Sequence, residues 1–500
     1  MAVKTAKDRA ASVDGSPDGG SRDGGAGTVP ARAARKVAHL TPDERMARGK
    51  AARNEVPRSS HGRWAPPQDR PDPVALLEEQ GNSRVRELVP IRYGRMLVSP
   101  FTFFRGAALI MAADLAATAR SGLNVQSCGD AHLSNFGVFA SPERQLMFDI
   151  NDFDETLPGP WEWDLKRLGA SLEVAGRDRG YSAAERRKVV LTGAAEYRTR
   201  MKQAAGMRNL DVWYAHIEVQ QLFERFKAEV SGKQLAKAKS TVAKARTRDT
   251  MQAFSKLTRE VDGQRRIIAD PPLIVPVEDL LPEGRQRDEV ESELRGLIRS
   301  YRRTLETDRR HLLEEYEFVH MARKVVGVGS VGTRAWILLL LGRDGRDPLF
   351  LQAKEAKESV LERFVGRSRY QNCGQRVVAG QRLMQAASDI FLGWQRVPGF
   401  DGQSRDFYLR QLRDWKGSAD VDTMTASGMA VYARLCGATL ARAHARSGDR
   451  IAIASYLGNS DVFDRAIADF SAAYADQNER DYQTLLDAVQ SGRIAAQTGL

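Results

Sequence analysis

Three side chains suited to phosphate chemistry lie close together in the first third of the chain. Asp130 and Asn135 are five residues apart in the segment CGDAHLSNFGVF, and Asp152 follows 17 residues later in the segment LMFDINDFDET. An aspartate can accept the proton of a hydroxyl group, and an asparagine and a second aspartate can hold Mg²⁺. Together these residue types predict phosphoryl transfer, in which a protein mainly supplies positioning and charge neutralisation.

Two other kinds of metal site are excluded by the spacing. Asp149 and Asn151 begin like a calcium-binding EF-hand loop, but Phe153 takes the fifth position and Asp154 the sixth, where glycine is required. His132 has no second histidine or cysteine at the spacing of a zinc site. The remaining alternative is that the aspartates and asparagines only form turns between two strands, which their side chains favour.

The segments GDAHLSN, FDINDFDE and WEWDLKRL resemble the catalytic segment of the aminoglycoside phosphotransferase and choline kinase group, within the protein-kinase-like fold. The resemblance implies that Asp130 is the catalytic base and that Asn135 and Asp152 are Mg²⁺ ligands. Asp164 would be a structural carboxylate that braces the loop. Cys128 departs from the family pattern, which has a histidine there. That histidine is mainly architectural in the family, so no reacting group is lost.

A run of glycines forms a second feature in the segment VGVGSVGTR, where Gly327, Gly329 and Gly332 have the spacing G-x-G-x-x-G. A dinucleotide-binding turn would be followed by a helix and a suitably placed acidic residue, but a strand-like run follows here. A later strand ends in Lys354, which is the order with which kinases cover nucleotide phosphates. We therefore expect ATP to contact this loop, including Ser330, and Lys354; a plain hairpin is the alternative.

The elements that must position these residues follow from the apolar pattern. Residues 93–119 are expected to contain a buried helix, and residues 183–320 long charged helices. The pattern predicts strands from Val325 and a helix over 375–390, followed by the strand FYLRQL and a helix containing GATLARAHARSG. A capping box over residues 41–44 marks the first helix.

The two features occur in reversed order relative to kinases, because the Asp130 segment precedes the glycine run by about 200 residues. Joining the C-terminal helices to the N-terminal half restores the usual order. We therefore predict an α+β, protein-kinase-like two-lobed fold that is circularly permuted, with extra helices and a disordered N-terminal tail. The glutamate that pairs with Lys354 stays open between Glu358 and Glu362, because the helix over 375–390 contains no glutamate.

Four parts are expected along the chain: a disordered basic tail, a helical large lobe with the catalytic and metal residues, a small β-rich nucleotide-binding lobe, and a helical segment that completes the large lobe. Their bounds are 1–40, 41–317, 318–415 and 416–500. The tail has too few apolar residues to fold. Residues 1–70 hold 14 lysines and arginines against 8 aspartates and glutamates, which is half of the net charge of +12. The charge therefore indicates a basic tail, and the folded part needs no nucleic acid.

Membrane and secreted classes are not favoured. The longest apolar run spans residues 335–341, far below the about 20 residues that cross a bilayer. The first residues lack the apolar core of a signal peptide. Cys128, Cys373 and Cys436 lie too far apart for a disulfide framework or a C-x-x-C metal pair. These features favour a cytoplasmic protein without membrane contact.

The whole arrangement also resembles a bacterial family known only as a domain of unknown function. The resemblance covers residues 42–485 and rests on the segments VPIRYGRM, SPFTFFRGAA, GDAHLSNFG, FDINDFDET, EWDLKRL, VVGVGSVGTR and GQRLMQAASDIFLGW. Because such a family has no agreed activity, the resemblance supports the fold and the site and implies no substrate.

The first function expected is an ATP- and Mg²⁺-dependent phosphotransferase acting on the hydroxyl or amine of a small molecule. The second is a pseudokinase that binds nucleotide without catalysis, which Cys128 and the missing helix glutamate favour. The third is nucleic-acid binding through the basic tail, and a Rossmann oxidoreductase is a distant fourth. Arg105, in the segment FFRGA, is interpreted as structural in preference to a phosphate contact.

Overall fold

The computed structural model describes residues 39–226, 232–261, 263–281, 287–399, 401–412 and 414–500. The predicted tail falls on residues 1–38, which lie outside the described residues, and on His39 and Leu40. The helices are, in chain order, α1 (Pro42–Glu55), α2 (Pro73–Gly81), α3 (Val89–Met96), α4 (Pro100–Gly106), α5 (Ala108–Ala116), α6 (Trp161–Asp178), α7 (Ala183–Ala205), α8 (Asn209–Tyr214), α9 (Val219–Phe226), α10 (Gly232–Arg246), α11 (Thr250–Leu257), α12 (Arg287–Arg302), α13 (Thr307–Glu314), α14 (Glu362–Val365), α15 (Cys373–Met384), α16 (Ala426–Ser447), α17 (Arg450–Leu457) and α18 (Val462–Gln490).

The strands form small antiparallel pairs in the first half of the chain and one large sheet in the second. They are β1 (Asn124–Ser127), β2 (Phe136–Ala140), β3 (Leu146–Ile150), β4 (Leu157–Pro160), β5 (Thr258–Val261), β6 (Gln264–Ile267), β7 (Ile274–Pro276), β8 (Glu317–Lys324), β9 (Ala335–Leu341), β10 (Pro348–Ala356), β11 (Gly393–Pro398), β12 (Ser404–Gln411) and β13 (Gly417–Ser418). β1 pairs with β4, and β2 lies between β3 and β13. The mixed composition confirms the α+β class.

The large sheet has the strand order β11-β12-β10-β9-β8-β7 and is antiparallel throughout. Side chains alternate between its two faces. One face packs Ala353 and Phe407 into a core with α12, while Phe350 on the other face packs against α11. Lys354 follows on the same face as Phe350, in register with Tyr408 of β12. The alternation therefore turns Lys354 away from the α12 core.

The helical part is built around α6, α7, α16 and α18, which pack against one another. Its core contains the fully buried aromatic side chains of Trp161, Tyr197, Tyr456 and Phe463. α6 is buried on all of its faces over most of its length, so polar residues in it must find partners inside the protein. Charged residues of α6 that face the segment between β1 and β2 therefore pair with groups of that segment.

The capping box at the first helix is confirmed, because the Thr41 side chain accepts the N–H of Glu44 and α1 begins at Pro42. The buried helix expected within residues 93–119 is wrong as a single element. Ser99 caps a new helix there, and the segment divides into α3, α4 and α5. The helix expected over 375–390 ends at Met384 because Gln385 is extended.

The first of the strands expected from Val325, over the segment VVGVGSVG, is also wrong. β8 ends at Lys324, and the glycine run that follows forms a loop. Gly327 and Gly332 adopt φ values of +65° and +86°, which break a strand. The large sheet also extends beyond the small lobe expected over 318–415, because β7 pairs with β8. Among the described residues, no helix is long and apolar enough to cross a bilayer.

Candidate active site

One buried carboxylate holds the Asp130 loop, residues 128–135. Asp164, in the first turn of α6, accepts the backbone N–H of Cys128 at 2.8 Å and that of Gly129 at 3.0 Å. His444 Nε2 of α16 lies 3.1 Å from Asp164 Oδ2, and Tyr197 Oη lies 2.9 Å from His444 Nδ1. Asp164 therefore braces the loop as the sequence resemblance implies, through a hydrogen-bonded chain from the helical core. The Cys128 side chain is buried in the core.

Asp130 itself is paired with an arginine of α6. Arg167 Nη2 lies 2.8 Å from Asp130 Oδ1, and the same guanidinium stacks 3.9 Å over the Phe104 ring. Burial raises the pKa of Asp130 to about 6, although the charge and hydrogen bond of Arg167 act against that rise. A carboxyl with a pKa near neutrality can accept and release a proton under ordinary conditions.

The His132 side chain makes local contacts within the Asp130 loop. Its Nδ1 accepts the N–H of Ser134 at 3.2 Å, and its Nε2 lies 3.6 Å from Asp130 Oδ2. Burial, followed by the charges of Arg105 and Arg167, holds the pKa of His132 well below its ordinary value, so the ring is neutral.

Asn135 and Asp152 are brought together by the ladder between β2 and β3. Asn135 donates its side-chain N–H to the carbonyl of Asp130 at 2.8 Å, and its own carbonyl accepts the N–H of Asn151 at 2.8 Å. Asp152 follows directly in the Asp152 loop, residues 151–156. Its Oδ1 accepts the N–H of Asp154 at 3.1 Å, and its side chain is 29% exposed. Asp154 is exposed to the same extent, but both of its oxygens have close protein partners, so Asp152 is the carboxylate of this loop with the freer oxygens.

Lys354 reaches the Asp152 loop from β10. Its Nζ lies 2.5 Å from Asp154 Oδ2 and 3.6 Å from Asp152 Oδ2, while its side chain is only 4% exposed. Tyr408 donates to Asp154 Oδ1 at 2.7 Å. Burial alone would raise the pKa of Asp154, but Lys354 and Tyr408 hold it below its ordinary value. These partners favour the charged form of Asp154, which fixes the lysine in place, and the sequence did not reveal this role.

The glycine-rich loop, residues 325–334, closes over this group. Ser330 Oγ lies 3.5 Å from Asp154 Oδ2. Arg84 fixes the loop by donating to the carbonyls of Gly329 at 2.8 Å and Val331 at 2.5 Å. Because Arg84 holds two of its carbonyls, the glycine-rich loop lies beside the Asp154–Lys354 pair. A nucleotide phosphate bound there could contact both the loop and Lys354.

Lys354 does not pair with either of the glutamates considered in the sequence analysis. Among the described residues, the charged contacts of Lys354 are Asp152 and Asp154, and neither Glu358 nor Glu362 reaches it. Helix α15 instead contributes Arg376, which donates to the carbonyls of Thr156 at 2.6 Å, Asp154 at 2.8 Å and Lys357 at 2.7 Å. The helix therefore fixes the Asp152 loop through a guanidinium, not the lysine through a carboxylate.

Two functional arginines were thus missed from the sequence. Arg167 lies one helical turn after Asp164 in WEWDLKRL, and this i, i+3 spacing is the signal that could have placed it beside the same loop. Arg376 has no comparable sequence signal, since its partners are backbone carbonyls of distant segments.

The available oxygen ligands fit Mg²⁺ held together with phosphates. In the described part of the chain, no group of three or more histidine, cysteine, aspartate or glutamate side chains is arranged to hold a metal ion. Asn135 and Asp152 could supply two oxygen ligands, and Mg²⁺ is commonly bound by one or two protein ligands with substrate phosphates and waters completing its shell. The donor set therefore suits a metal that arrives with a nucleotide.

The profile of a family described as "uncharacterized protein conserved in bacteria (DUF2252)" matches residues 84–488. The chain belongs to this family. The matched region contains the Asp130 loop, the Asp152 loop, the glycine-rich loop and Lys354. No curated protein and no solved structure matches the chain. Membership of the DUF2252 family confirms the resemblance to a bacterial domain of unknown function and leaves the chemistry to be inferred from the site.

Proposed function

We propose that this DUF2252 protein is an ATP- and Mg²⁺-dependent phosphotransferase with a circularly permuted, protein-kinase-like fold. The observation that carries the proposal is the position of Lys354 Nζ, 3.6 Å from Asp152 Oδ2 and 2.5 Å from Asp154 Oδ2, although 200 residues separate Lys354 from Asp154. A lysine from a sheet, a glycine-rich loop and an accessible aspartate beside an Asp–Asn loop form the set that binds and transfers phosphoryl groups in kinases.

The contact between α16 and β1 supports the permutation. Ser447 Oγ accepts the N–H of Gln126 at 3.2 Å, and a Cβ added to Gly448 would lie 3.1 Å from the carbonyl oxygen of Asn124. The end of α16 thus abuts the start of the strand that leads to Asp130. In the proposed permutation, the Lys354 sheet and helix α16 would precede strand β1 and the Asp130 loop, and this contact lies where the two parts would be joined.

In the proposed reaction, Asp130 accepts the proton of an acceptor hydroxyl or amine. The acceptor atom then bonds to the γ-phosphorus while the bond from that phosphorus to the β-phosphate oxygen breaks, leaving ADP. Lys354 and the N–H groups of the glycine-rich loop bind the phosphates, and Asn135 and Asp152 would hold Mg²⁺. The ion, when bound, neutralises charge on the phosphate oxygens.

A nucleotide-binding pseudokinase is the second candidate, favoured by the two ion pairs of the cleft. Arg167 engages the carboxylate of Asp130, and Asp154 engages the amine of Lys354. If these pairs persist when nucleotide binds, Arg167 makes Asp130 a weaker base and Lys354 stays engaged with Asp154 instead of the phosphates. Turnover, as opposed to binding, distinguishes the two functions.

The test uses the purified full-length chain, with calorimetric titration of Mg·ATP and a measurement of phosphate release. We expect Mg²⁺-dependent binding and slow hydrolysis. Asp152→Asn and Lys354→Met should abolish both, while the exposed control variants Asp69→Asn and Lys256→Met should match the wild type. Failure of the wild type to bind Mg·ATP, or equal binding by all variants, would overturn the proposal. Binding without any turnover would establish the pseudokinase.

A further inference from the structure

Arg105, in the last turn of α4, is a largely buried arginine whose guanidinium has no partner. Among the described residues its side chain makes no hydrogen bond and no ion pair, and its Nε is fully enclosed. A buried donor without a partner is costly, typically about 1–3 kcal/mol and more for a charged group. Two other arginines of the cleft do engage the protein: Arg167 contacts Asp130, and the Nη atoms of Arg376 donate to three carbonyls, although its Nε is also enclosed without a hydrogen-bond partner. The guanidinium of Arg105 therefore keeps donors that a ligand could take up.

The backbone of Arg105 lies between the two loops that would handle the phosphoryl group. Arg167 Nη2 donates to the carbonyl of the preceding residue, Phe104, at 2.7 Å and contacts Asp130 Oδ1 at 2.8 Å, so one nitrogen spans the distance from α4 to the Asp130 carboxylate. On the other side, a Cβ added to Gly329 would lie 3.2 Å from the carbonyl oxygen of Arg105. The backbone of Arg105 thus lies next to the glycine-rich loop and one residue from the contact that leads to Asp130.

The charges around Arg105 agree with this placement. Burial lowers the pKa of the guanidinium, while the carboxylates of Asp130 and Asp422 act in the opposite direction. The other cations of the cleft are already engaged, Lys354 by two aspartates and Arg167 by Asp130. The Arg105 guanidinium is therefore a positive group of the cleft whose N–H donors can still form hydrogen bonds.

We propose that Arg105 is a catalytic residue that donates hydrogen bonds to the phosphoryl group as it passes from ATP towards the acceptor beside Asp130. The proposal rests on the phosphotransferase function. The planar guanidinium matches a pair of phosphoryl oxygens, and it compensates for the negative charge that those oxygens carry during transfer. Arg105 exchanges no proton and forms no covalent bond; Asp130 still receives the proton and ADP still leaves. A structural arginine such as Arg376 has its Nη atoms bonded to the protein, whereas no Nη atom of Arg105 makes such a bond among the described residues.

The experiment compares ADP with a mimic of the transferring phosphoryl group, ADP and Mg²⁺ with aluminium fluoride. In the wild type we expect the mimic to bind more tightly than ADP alone, because the site is complementary to the transition state. In Arg105→Gln we expect ADP affinity to stay almost unchanged, while the advantage of the mimic is lost and ATP hydrolysis falls by about 10²- to 10³-fold. Arg105→Lys should recover part of both, and the exposed control Arg63→Gln should match the wild type.

Thermal unfolding supplies the second readout, because removing an unpaired buried charge should not destabilise the fold. A loss of stability or of folding in Arg105→Gln would contradict the proposal and indicate a structural role. If the wild type hydrolyses ATP and binds the mimic tightly, and Arg105→Gln does both equally well, the role of Arg105 is wrong while the phosphotransferase stands. If the wild type binds neither ADP nor the mimic, the phosphotransferase itself is wrong, and the role of Arg105 falls with it.

Discussion

Asp130 and Asp154 are partly exposed aspartates of the same cleft, but the protein surrounds them differently. Asp154 receives Lys354 at 2.5 Å on one oxygen and the Tyr408 hydroxyl at 2.7 Å on the other, and its pKa lies below the ordinary value. Asp130 receives Arg167 on one oxygen, with Asp152 as a negative neighbour, and burial raises its pKa to about 6. Partners on both oxygens keep Asp154 charged, whereas partial pairing leaves Asp130 able to bind a proton.

Asp154 and Asp130 therefore have different roles, the first in holding the structure together and the second in the proposed chemistry. Asp154 fixes Lys354 and thereby joins the sheet to the helical part, so its charge is structural. Asp130 is held in place through the backbone of its loop by Asp164, which leaves its carboxylate available for a substrate proton. The two residues should therefore respond in opposite ways to the same isosteric substitution.

The largest expected difference is in turnover. Asp130→Asn should lower Mg·ATP turnover by about 10²- to 10⁴-fold while leaving Mg·ATP binding nearly intact, because a general base is lost and the phosphate contacts remain. Asp154→Asn should instead weaken binding, because Lys354 is no longer held at its position. Titration calorimetry and phosphate release measure the two quantities on each variant. Weaker binding in Asp130→Asn and unchanged binding in Asp154→Asn would reverse the assignment.

The stability of the Asp154 variant gives the next largest effect. Asp154→Asn leaves Lys354 as a buried charge that has lost its closest partner, and breaking such a pair typically costs about 3–5 kcal/mol. Urea unfolding at neutral pH measures this loss in the free energy of unfolding. The double variant Asp154→Leu with Lys354→Met, which removes both charges, should recover most of it. Equal stability of Asp154→Asn and the wild type would show that the ion pair holds nothing together.

Substitution of Asp130 by asparagine should change the free energy of unfolding in the opposite direction. Its pKa of about 6 in the folded protein exceeds the ordinary value of 3.8, so the folded state binds the proton more tightly than the unfolded state does. The stability linked to that proton is present at low pH and is lost as the pH rises through 6, which costs up to about 3 kcal/mol at pH 7.5.

Because asparagine resembles the protonated carboxyl, Asp130→Asn should be more stable than the wild type at pH 7.5. The advantage should shrink as the pH falls from 7 to 4. Urea unfolding across this range measures it, with Asp69→Asn as the exposed control. A destabilised Asp130→Asn at pH 7.5 would mean that the carboxylate is a structural partner of Arg167 and not a group held for chemistry.

The smallest effect concerns the chain of hydrogen bonds that braces the Asp130 loop. Tyr197→Phe removes only the hydroxyl that contacts His444 Nδ1 at 2.9 Å. The expected loss is about 1 kcal/mol in the free energy of unfolding, the usual value for one hydrogen bond, with little change in Mg·ATP binding. A large loss of binding would instead place the phosphate site under the control of this chain.

The sequence revealed the residues whose partners are local or whose motif is contiguous. Asp130, Asn135 and Asp152 could be named because their loops lie on either side of one strand pair, and Lys354 because it ends a strand after a glycine loop. Asp164 was found through the family resemblance alone. The capping box of α1 was predictable because it depends on residues three positions apart.

Residues that act through distant partners could not be predicted. Arg376 binds carbonyls more than 200 residues away, and Asp154 gains its role only when β10 and β12 close on it. The failure at residues 93–119 has a different cause. The segment is apolar enough for one helix, but Ser99 and Pro100 begin a new one, and helix capping overrides the apolar pattern there.

A crystal structure of the chain with Mg²⁺ and an ATP analogue whose γ-phosphate cannot be transferred tests the central claim most directly. The account predicts phosphate oxygens within hydrogen-bonding distance of Lys354 Nζ and of the glycine-rich loop, and a metal ion bound by Asn135 and Asp152. The γ-phosphate should lie between Arg105 and Asp130. A nucleotide bound elsewhere, or a cleft that stays empty at saturating analogue, would contradict the account.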